Sequence, residues 1–414
     1  VSLALNHHPA IGEARAEIEV AEGVLRQAGA ARFPSVLSDA SLVRHEEPYL
    51  VAPLHGFDPT MAPDFDRSLV RGNLTLGYSI YDGGARGARI AQAESGRALA
   101  SAGRTSSELA ITAETSAAFL EVLSTAELLK AAASQRETLE AEVVRVEQFL
   151  EAGKAARVEL LRVQAALSQA EATEISLRSR LGVVQGRLAR LTGLDSEEVR
   201  EVDLVPVRLR AAPAPMLPQV LERARSVSPE LELARQRLAG TAAGVEVARA
   251  SLYPTLEAAG AYSEFGSLSG GHTLEWQGSL RVSFPIFTGG ARRGDRDRAS
   301  AEMKKATEAL RSAELAVEGG VEEALAAAQE TRAMRVALES AVEQAAEVAR
   351  IEALALEVGS GIQTDFLRAQ SELFQARAAL SQARHGEVMA GVQLARVTGE
   401  LTLDWLQENM EVIR

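Results

Sequence analysis

Residues 77–95, GYSIYDGGARGARIAQAES, and residues 283–301, SFPIFTGGARRGDRDRASA, follow one plan. In each, a short alternating apolar segment meets a Gly-Gly pair and then an Ala- and Arg-rich stretch without proline. A strand that turns sharply into a helix needs positive φ at the bend, which glycine supplies without strain. The stretch therefore predicts a strand-to-helix junction, used twice. Gly83 and Gly289 are 206 positions apart.

The same offset recurs further along the chain. EAGKAARVELLRVQ (151–164) aligns with EVGSGIQTDFLRAQ (357–370), and LARLTG (188–193) with LARVTG (394–399). Upstream the offset is 220, from FPSVLSDASL (33–42) against YPTLEAAGAY (253–262), with Pro34 opposite Pro254 and Pro9 opposite Pro229. Several motifs agreeing on two offsets establish an internal duplication, the second copy being shorter by 14 residues between its strands. Loops absorb such a change more readily than matched helices.

Each copy reads as helix, strand, loop, strand, very long helix, glycine break and return helix. NLTLGYSIY places Leu74, Leu76, Tyr78 and Ile80 on one face and Asn73, Thr75, Gly77 and Ser79 on the other. SLRVSF repeats this with Leu280, Val282 and Phe284. All 13 prolines lie within 9–63 and 206–285, leaving 64–205 and 286–414 free of them. Apolar residues there step by three and four, as in Leu139, Val143, Val146 and Leu150, which is coiled-coil spacing. A helix over 84–150 would be roughly 100 Å long.

The expected division is a first repeat over 1–193 (helix 9–31, strands 35–43 and 71–82, helices 84–150 and 156–192) and a connector over 194–226. A second repeat follows over 227–399 (helix 228–251, strands 254–263 and 277–287, helices 290–357 and 362–398), then a C-terminal segment over 400–414. Residues 43–70, with four prolines, read as a long loop whose counterpart at 264–275 is short.

Composition narrows the function. The absence of Cys removes disulfides, thiolate metal sites and Cys nucleophiles. A net charge of −13 argues against a nucleic-acid surface. No apolar run is long enough for a membrane-spanning helix. The chain begins at Val1 without an apolar leader, so any signal peptide has been removed or was never included, and a lipidated Cys upstream stays an open alternative. The six histidines (His7, His8, His45, His55, His272, His385) lack metal-ligand spacing, and neither GGARGA nor GGARRG has a Walker lysine, so no enzyme or cofactor is expected. Strands apolar on one face suit a transmembrane β-barrel. The alternative is a soluble coiled-coil scaffold or adaptor whose strands form a small docking sheet.

The duplicated FP/YP and Y/F-x-GG-A-R junctions, the EAG…ELLRVQ and EVG…DFLRAQ breaks and the LTG/VTG ends, in this order, resemble the TolC-like outer membrane factors over about residues 1–400. The resemblance implies an α+β membrane protein, a trimeric α/β-barrel. Four strands per protomer would enter a 12-stranded outer-membrane β-barrel that continues into a long α-helical coiled-coil tunnel, with 194–226 and the tail as an equatorial belt. It implies an exit duct for tripartite efflux or type I secretion in a Gram-negative outer membrane, with a homotrimer, a periplasmic adaptor, an inner-membrane pump and outer membrane lipid as partners.

By position, the family's acidic periplasmic aperture falls on Asp365 and, in the first copy, Glu159, with Gln363 beside it. Where many members carry a second acid, this chain has Arg368 and Arg162. Glu159–Arg162 and Asp365–Arg368 equally read as ordinary i,i+3 helix pairs. The hairpin tips Gly153-Lys154-Ala155 and Gly359-Ser360-Gly361 correspond to the family's adaptor contacts, although glycine is expected at any helix reversal. Pro34, Pro254, Gly83, Gly84, Gly289 and Gly290 mark the strand–helix junctions.

Overall fold

The computed structural model describes residues 1–54, 60, 62–202, 204–210 and 215–413. The expected loop at 55–59 and 61, with His55, and connector positions 203 and 211–214 lie outside the described residues. The chain divides into two compact units. A helical unit comprises Val1–Ala16, Ser101–Leu233 and Arg311–Arg414, and a strand unit comprises Glu17–Ala100 and Ala234–Leu310.

In chain order, α1 (Ser2–His7) and α2 (Pro9–Ala30) precede β1 (Ser35–Leu50) and β2 (Phe65–Tyr81). Two long helices follow, α3 (Ala85–Glu151) and α4 (Arg157–Thr192). The connector holds α5 (Ser196–Glu201), β3 (Val207–Leu209) and α6 (Leu217–Val227). The second copy is α7 (Pro229–Ala250), β4 (Thr255–Ser267), β5 (His272–Ser283), α8 (Ala291–Glu357) and α9 (Gln363–Thr398), and the chain ends in α10 (Leu403–Asn409) and β6 (Met410–Val412). Equivalent helices have equal lengths: 22 residues for α2 and α7, 67 for α3 and α8, 36 for α4 and α9. The length difference between copies is therefore confined to the strands and the turns joining them.

The strands depart from the sequence reading. β1 and β2 run well into the segment expected as loop, leaving only 51–64 between them. Their outer halves, such as RHEEPYL, have no apolar side, so no alternation announced them. Pro48 lies inside β1, where the register with β2 shifts between Arg44 and Tyr49; proline is tolerated at such an irregularity, where the ladder is interrupted. In the second copy 264–267 and 272–275 also belong to strands, with the turn at 268–271, and β5 stops at Ser283, before Pro285, rather than at 287. α1 and α5 were not anticipated.

The four-stranded sheet of the strand unit is antiparallel, in the order β1-β2-β4-β5. β1 and β5 are its two edges. Register places Leu74, Tyr262 and Trp276 in one cross-strand row and Asn73, Ser263 and Glu275 in the next, on the opposite face. Asp39 joins the polar row, accepting from Asn73 Nδ2 at 3.1 Å. Trp276, Leu280 and Val282 stand exposed on the apolar face in the single protomer.

In the helical unit, apolar clusters join hairpins to connector. Ala118 and Val122 of α3 pack on Val184 and Leu188 of α4 and on Val199 of α5. Val220 and Ala224 of α6 pack with Leu231 of α7 and Val317 and Val321 of α8. Leu109 of α3 clusters with Val392 of α9, with Leu401, and with Trp405 of α10. β3 pairs antiparallel with β6, tying connector to tail. Each hairpin also carries an Arg–Glu clasp, Arg136 Nε to Glu174 Oε2 at 2.7 Å and Arg335 Nε to Glu387 Oε2 at 2.5 Å. Arg335 lies seven residues before 342, the equivalent of Arg136. The two hairpins thus use the same device one heptad apart.

Candidate functional site

The hairpin tips are two copies of one turn. At the α3–α4 turn, Gly153 has φ 70°, and the amides of Lys154 and Ala155 donate to Phe149 O at 2.7 and 3.2 Å. At the α8–α9 turn, Gly359 has φ 77°, and the amides of Ser360 and Gly361 both donate to Ala355 O at 2.9 Å. Gly361 has no room for a side chain: an added Cβ would lie 2.9 Å from Leu356 N.

The acidic positions sit just past these turns but in different local settings. Ala156, at the start of α4, has no side-chain oxygen to cap the helix, and the Glu159 carboxylate instead accepts from its N–H at 3.3 Å. Asp365 lies in the first turn of α9, with its carboxylate 3.9 Å from Arg368 and both side chains largely exposed. Arg162 turns away from its own helix, and its Nη1 donates to Thr364 Oγ1 at 3.1 Å. That bond runs from the first copy to the second.

A second link runs the same way. Arg145 of α3 donates from Nε and Nη2 to Glu142 at 2.8 and 2.6 Å, and Nη2 also reaches Gln363 Oε1 at 3.4 Å. Its guanidinium lies 5.1 Å from the Phe149 ring centroid. Hydrogen bonding to Glu142 holds the Arg145 pKa above its ordinary value, with Coulombic attraction to Glu142 and Glu357 acting in the same direction against desolvation. Glu142 and Gln363 are buried, and Gln363 Nε2 has no partner among the described residues. Gln363, Arg162, Thr364, Arg145 and Glu142 thus form one cross-copy cluster, while among the described residues the side-chain bonds of Asp365 and Glu159 stay within their own hairpins. Sequence reading singled out Gln363 and Arg162 but missed Glu142 and Arg145; their i,i+3 spacing was the available signal.

The strand–helix junctions are built alike at first. Phe33 N donates to Ala30 O and Tyr253 N to Ala250 O, at 3.0 and 3.1 Å, so the same turn precedes Pro34 and Pro254. Gly83 and Gly289 have φ 67° and 60°, Gly84 and Gly290 90° and 88°. Asp82 caps α3, accepting from the amides of Gly84 and Arg86 at 3.1 and 2.6 Å. Arg86 and Arg292, at the 206 offset, then brace the bend: Arg86 Nη1 donates to Ala31 O at 3.1 Å and Arg292 Nη1 to Ser251 O at 3.2 Å. Each guanidinium lies 5.8 Å from an aromatic centroid of the preceding strand, Tyr78 or Phe284. Both arginines stand in the Gly-Gly-Ala-Arg junction motif, yet only the duplicated geometry assigns them this part.

Among the described residues no group of three or more His, Asp or Glu is arranged to hold a metal, and no helix is long and apolar enough to cross a membrane.

Residues 1–194 and 220–400 match the family described as "Outer membrane efflux protein". The gap falls on the connector around α5 and β3. Protein CyaE of Bordetella pertussis is 28% identical over 392 residues, covering 91% of this chain and 78% of that protein. The pyoverdine export outer membrane protein OpmQ of Pseudomonas putida is 26% identical over 414 residues, covering 96% and 84%. The crystal structure of the outer membrane protein VceC from Vibrio cholerae superposes with a TM-score of 0.83 at 20% identity, over 96% of this chain and 94% of that one. At that identity the likeness speaks for the fold.

Proposed function

The chain belongs to the outer membrane efflux protein family, and from that premise we propose that three copies close into the exit duct of a tripartite efflux pump or a type I secretion system. The family is one of transport channels rather than enzymes, and its place is the Gram-negative outer membrane. One observation carries the trimer: a four-stranded sheet, apolar on one face, with both edges β1 and β5 unpaired in the protomer. In lipid, backbone edges must be paired. Four strands are too few to enclose a passage, and closed cyclic symmetry lets β1 of one copy pair with β5 of the next, so three copies make twelve strands. The row of Leu74, Tyr262 and Trp276 then faces lipid, and that of Asp39, Asn73 and Ser263 faces the lumen. The helical hairpins form the tunnel, with Pro34, Gly83 and Gly84, and Pro254, Gly289 and Gly290, redirecting the chain between barrel and tunnel.

The tips Gly153-Lys154-Ala155 and Gly359-Ser360-Gly361 meet the periplasmic adaptor, which couples the duct to an inner-membrane pump. Asp365 and Glu159, repeated by symmetry, ring the aperture, where a set of carboxylates attracts cations and repels anions. Gln363, Arg162 and Arg368 flank them and hold the closed form.

Single-channel recording of the reconstituted protein tests this reading. The wild-type protein conducts and is blocked by polyvalent cations from the side of the helical tips. Asp365→Ala weakens that block about tenfold, the loss of roughly 1.4 kcal/mol of attraction at the ring, and leaves thermal stability unchanged. Glu159→Ala weakens it less and also loosens the start of α4 by about 0.5–1 kcal/mol, because its carboxylate satisfies a helix-end amide. A protein that stays monodisperse without detergent and never conducts would mean the duct reading is wrong.

A further inference from the structure

The end of the sheet at which α2, α3, α7 and α8 attach is chemically unlike the rest of the molecule. Segments 31–34, 81–89, 251–254 and 284–293 carry Arg32, Arg86, Arg89, Arg292 and Arg293 against Asp82 alone, a local net charge of +4 in a chain of net charge −13. The Asp82 carboxylate is engaged with the amides that open α3. Arg32, Arg86, Arg89 and Arg292 form no ion pair with any described residue, and Arg293 has only a 3.9 Å approach to Asp297. Arg136, Arg145 and Arg335 of the helical hairpins, by contrast, each pair with a glutamate.

These cations stand among exposed apolar side chains. Phe33, Tyr81, Tyr253 and Phe284 are exposed in the protomer, and Ile286 and Phe287 are each 88% exposed. The face is defined by contact. Arg86 lies over Tyr78 and Arg292 over Phe284, and Tyr78 belongs to the same side of the sheet as Leu74, Leu76 and Ile80. Arg86 gives one donor to Ala31 O, and Arg292 gives donors to Ser251 O and Pro285 O. A guanidinium has five N–H donors, so each keeps capacity beyond its brace. The arginine-over-aromatic brace occurs at both junctions of the chain, whereas Arg32 and Arg89 have Leu252 and Asp295 as their second-copy equivalents.

We propose that this end of the sheet is a collar that binds the phosphodiester headgroups of anionic phospholipids, with Arg32, Arg86, Arg89 and Arg292 as phosphate partners and the aromatic residues seated at the headgroup level. The proposal rests on the duct reading, which sets this end of the barrel against the periplasmic leaflet. Aromatic side chains concentrate where a barrel meets the membrane–water boundary. Arginine matches phosphate through paired, charge-assisted N–H bonds. A zwitterionic headgroup offers the same phosphate, but its own cation opposes the collar, so a lipid of net negative charge is favoured. Six junctions in a trimer would give an unbroken basic girdle.

The test uses the full-length protein in detergent, stripped of lipid and then offered phosphatidylglycerol or phosphatidylcholine with identical acyl chains. Native mass spectrometry counts the lipids retained. The wild-type protein retains at least about threefold more phosphatidylglycerol, a preference that weakens as salt rises. Arg32→Gln/Arg89→Gln removes two exposed cations that brace nothing, so the protein folds and conducts as before while the preference falls towards parity. Equal retention of the two lipids by the wild-type protein, or an unchanged preference in the variant, would overturn the collar while leaving the duct intact. Displacement of phosphatidylglycerol by millimolar inorganic phosphate would overturn it too, by showing a free-anion site. A wild-type protein that retains no lipid and needs no detergent would overturn the duct along with the collar.

Discussion

Gly83→Ala is expected to remove most of the assembled protein, whereas Gly289→Ala is expected to cost only about 1–2 kcal/mol. The two glycines are equivalents in the two copies and share nearly the same positive φ, 67° and 60°. The backbone penalty for an L side chain is thus the same at both. Their surroundings differ. A Cβ on Gly83 would lie 2.6 Å from Ala250 O and 3.0 Å from Tyr253 Cβ, while one on Gly289 would meet nothing within 4 Å. Ala250 is buried at the end of α7, in the turn that leads to Pro254, and cannot withdraw without moving that junction. Heat-stability of the purified protein and its yield in membranes read the difference directly. Equal loss in the two variants would show that φ alone matters and that the close approach of α7 does not.

Arg162→Ala/Gln363→Leu is expected to raise the open fraction of the channel about tenfold. The pair cuts both hydrogen bonds that join the copies at the tips among the described residues, Arg162 to Thr364 and Arg145 to Gln363. The second is long, at 3.4 Å, and the first is exposed, so together they are discounted to about one charge-assisted hydrogen bond, roughly 1.4 kcal/mol, which is one decade in a two-state equilibrium. Leu suits position 363 because the site is buried and Gln363 Nε2 has no partner there among the described residues, so an apolar side chain of similar volume is tolerated. Arg145 keeps both bonds to Glu142. Single-channel recording should therefore show a protein of unchanged stability that opens far more often. Unchanged opening would place the closed-state contacts elsewhere.

The duplication, the strand–helix plan and the family were legible in the sequence because each rests on local punctuation. Glycine pairs mark the bends, prolines mark what is not long helix, and a fixed 206-residue offset ties the copies together. The outer parts of β1 and β2 were not legible, because alternation is visible only where one face is apolar, and RHEEPYL has no such face. Nor was the strand unit's neighbour order, in which β2 meets β4 across the copies; a linear repeat does not say which copies' strands touch. At the tips, residue types were readable but partners were not. Glu159 and Arg162 share the spacing of a helix pair, yet Glu159 bonds Ala156 and Arg162 crosses to Thr364. Arg86 and Arg292 were in plain view within the junction motif, but only the carbonyls of Ala31 and Ser251, brought there by the fold, give them a task.

In the proposed trimer the open sheet is one third of a closed barrel. The most direct test of this closure is the native mass of the detergent-solubilised protein after the detergent is shed. The mass of three 44.0 kDa chains is the expected result; a single 44.0 kDa species under conditions that keep the sheet folded would contradict it.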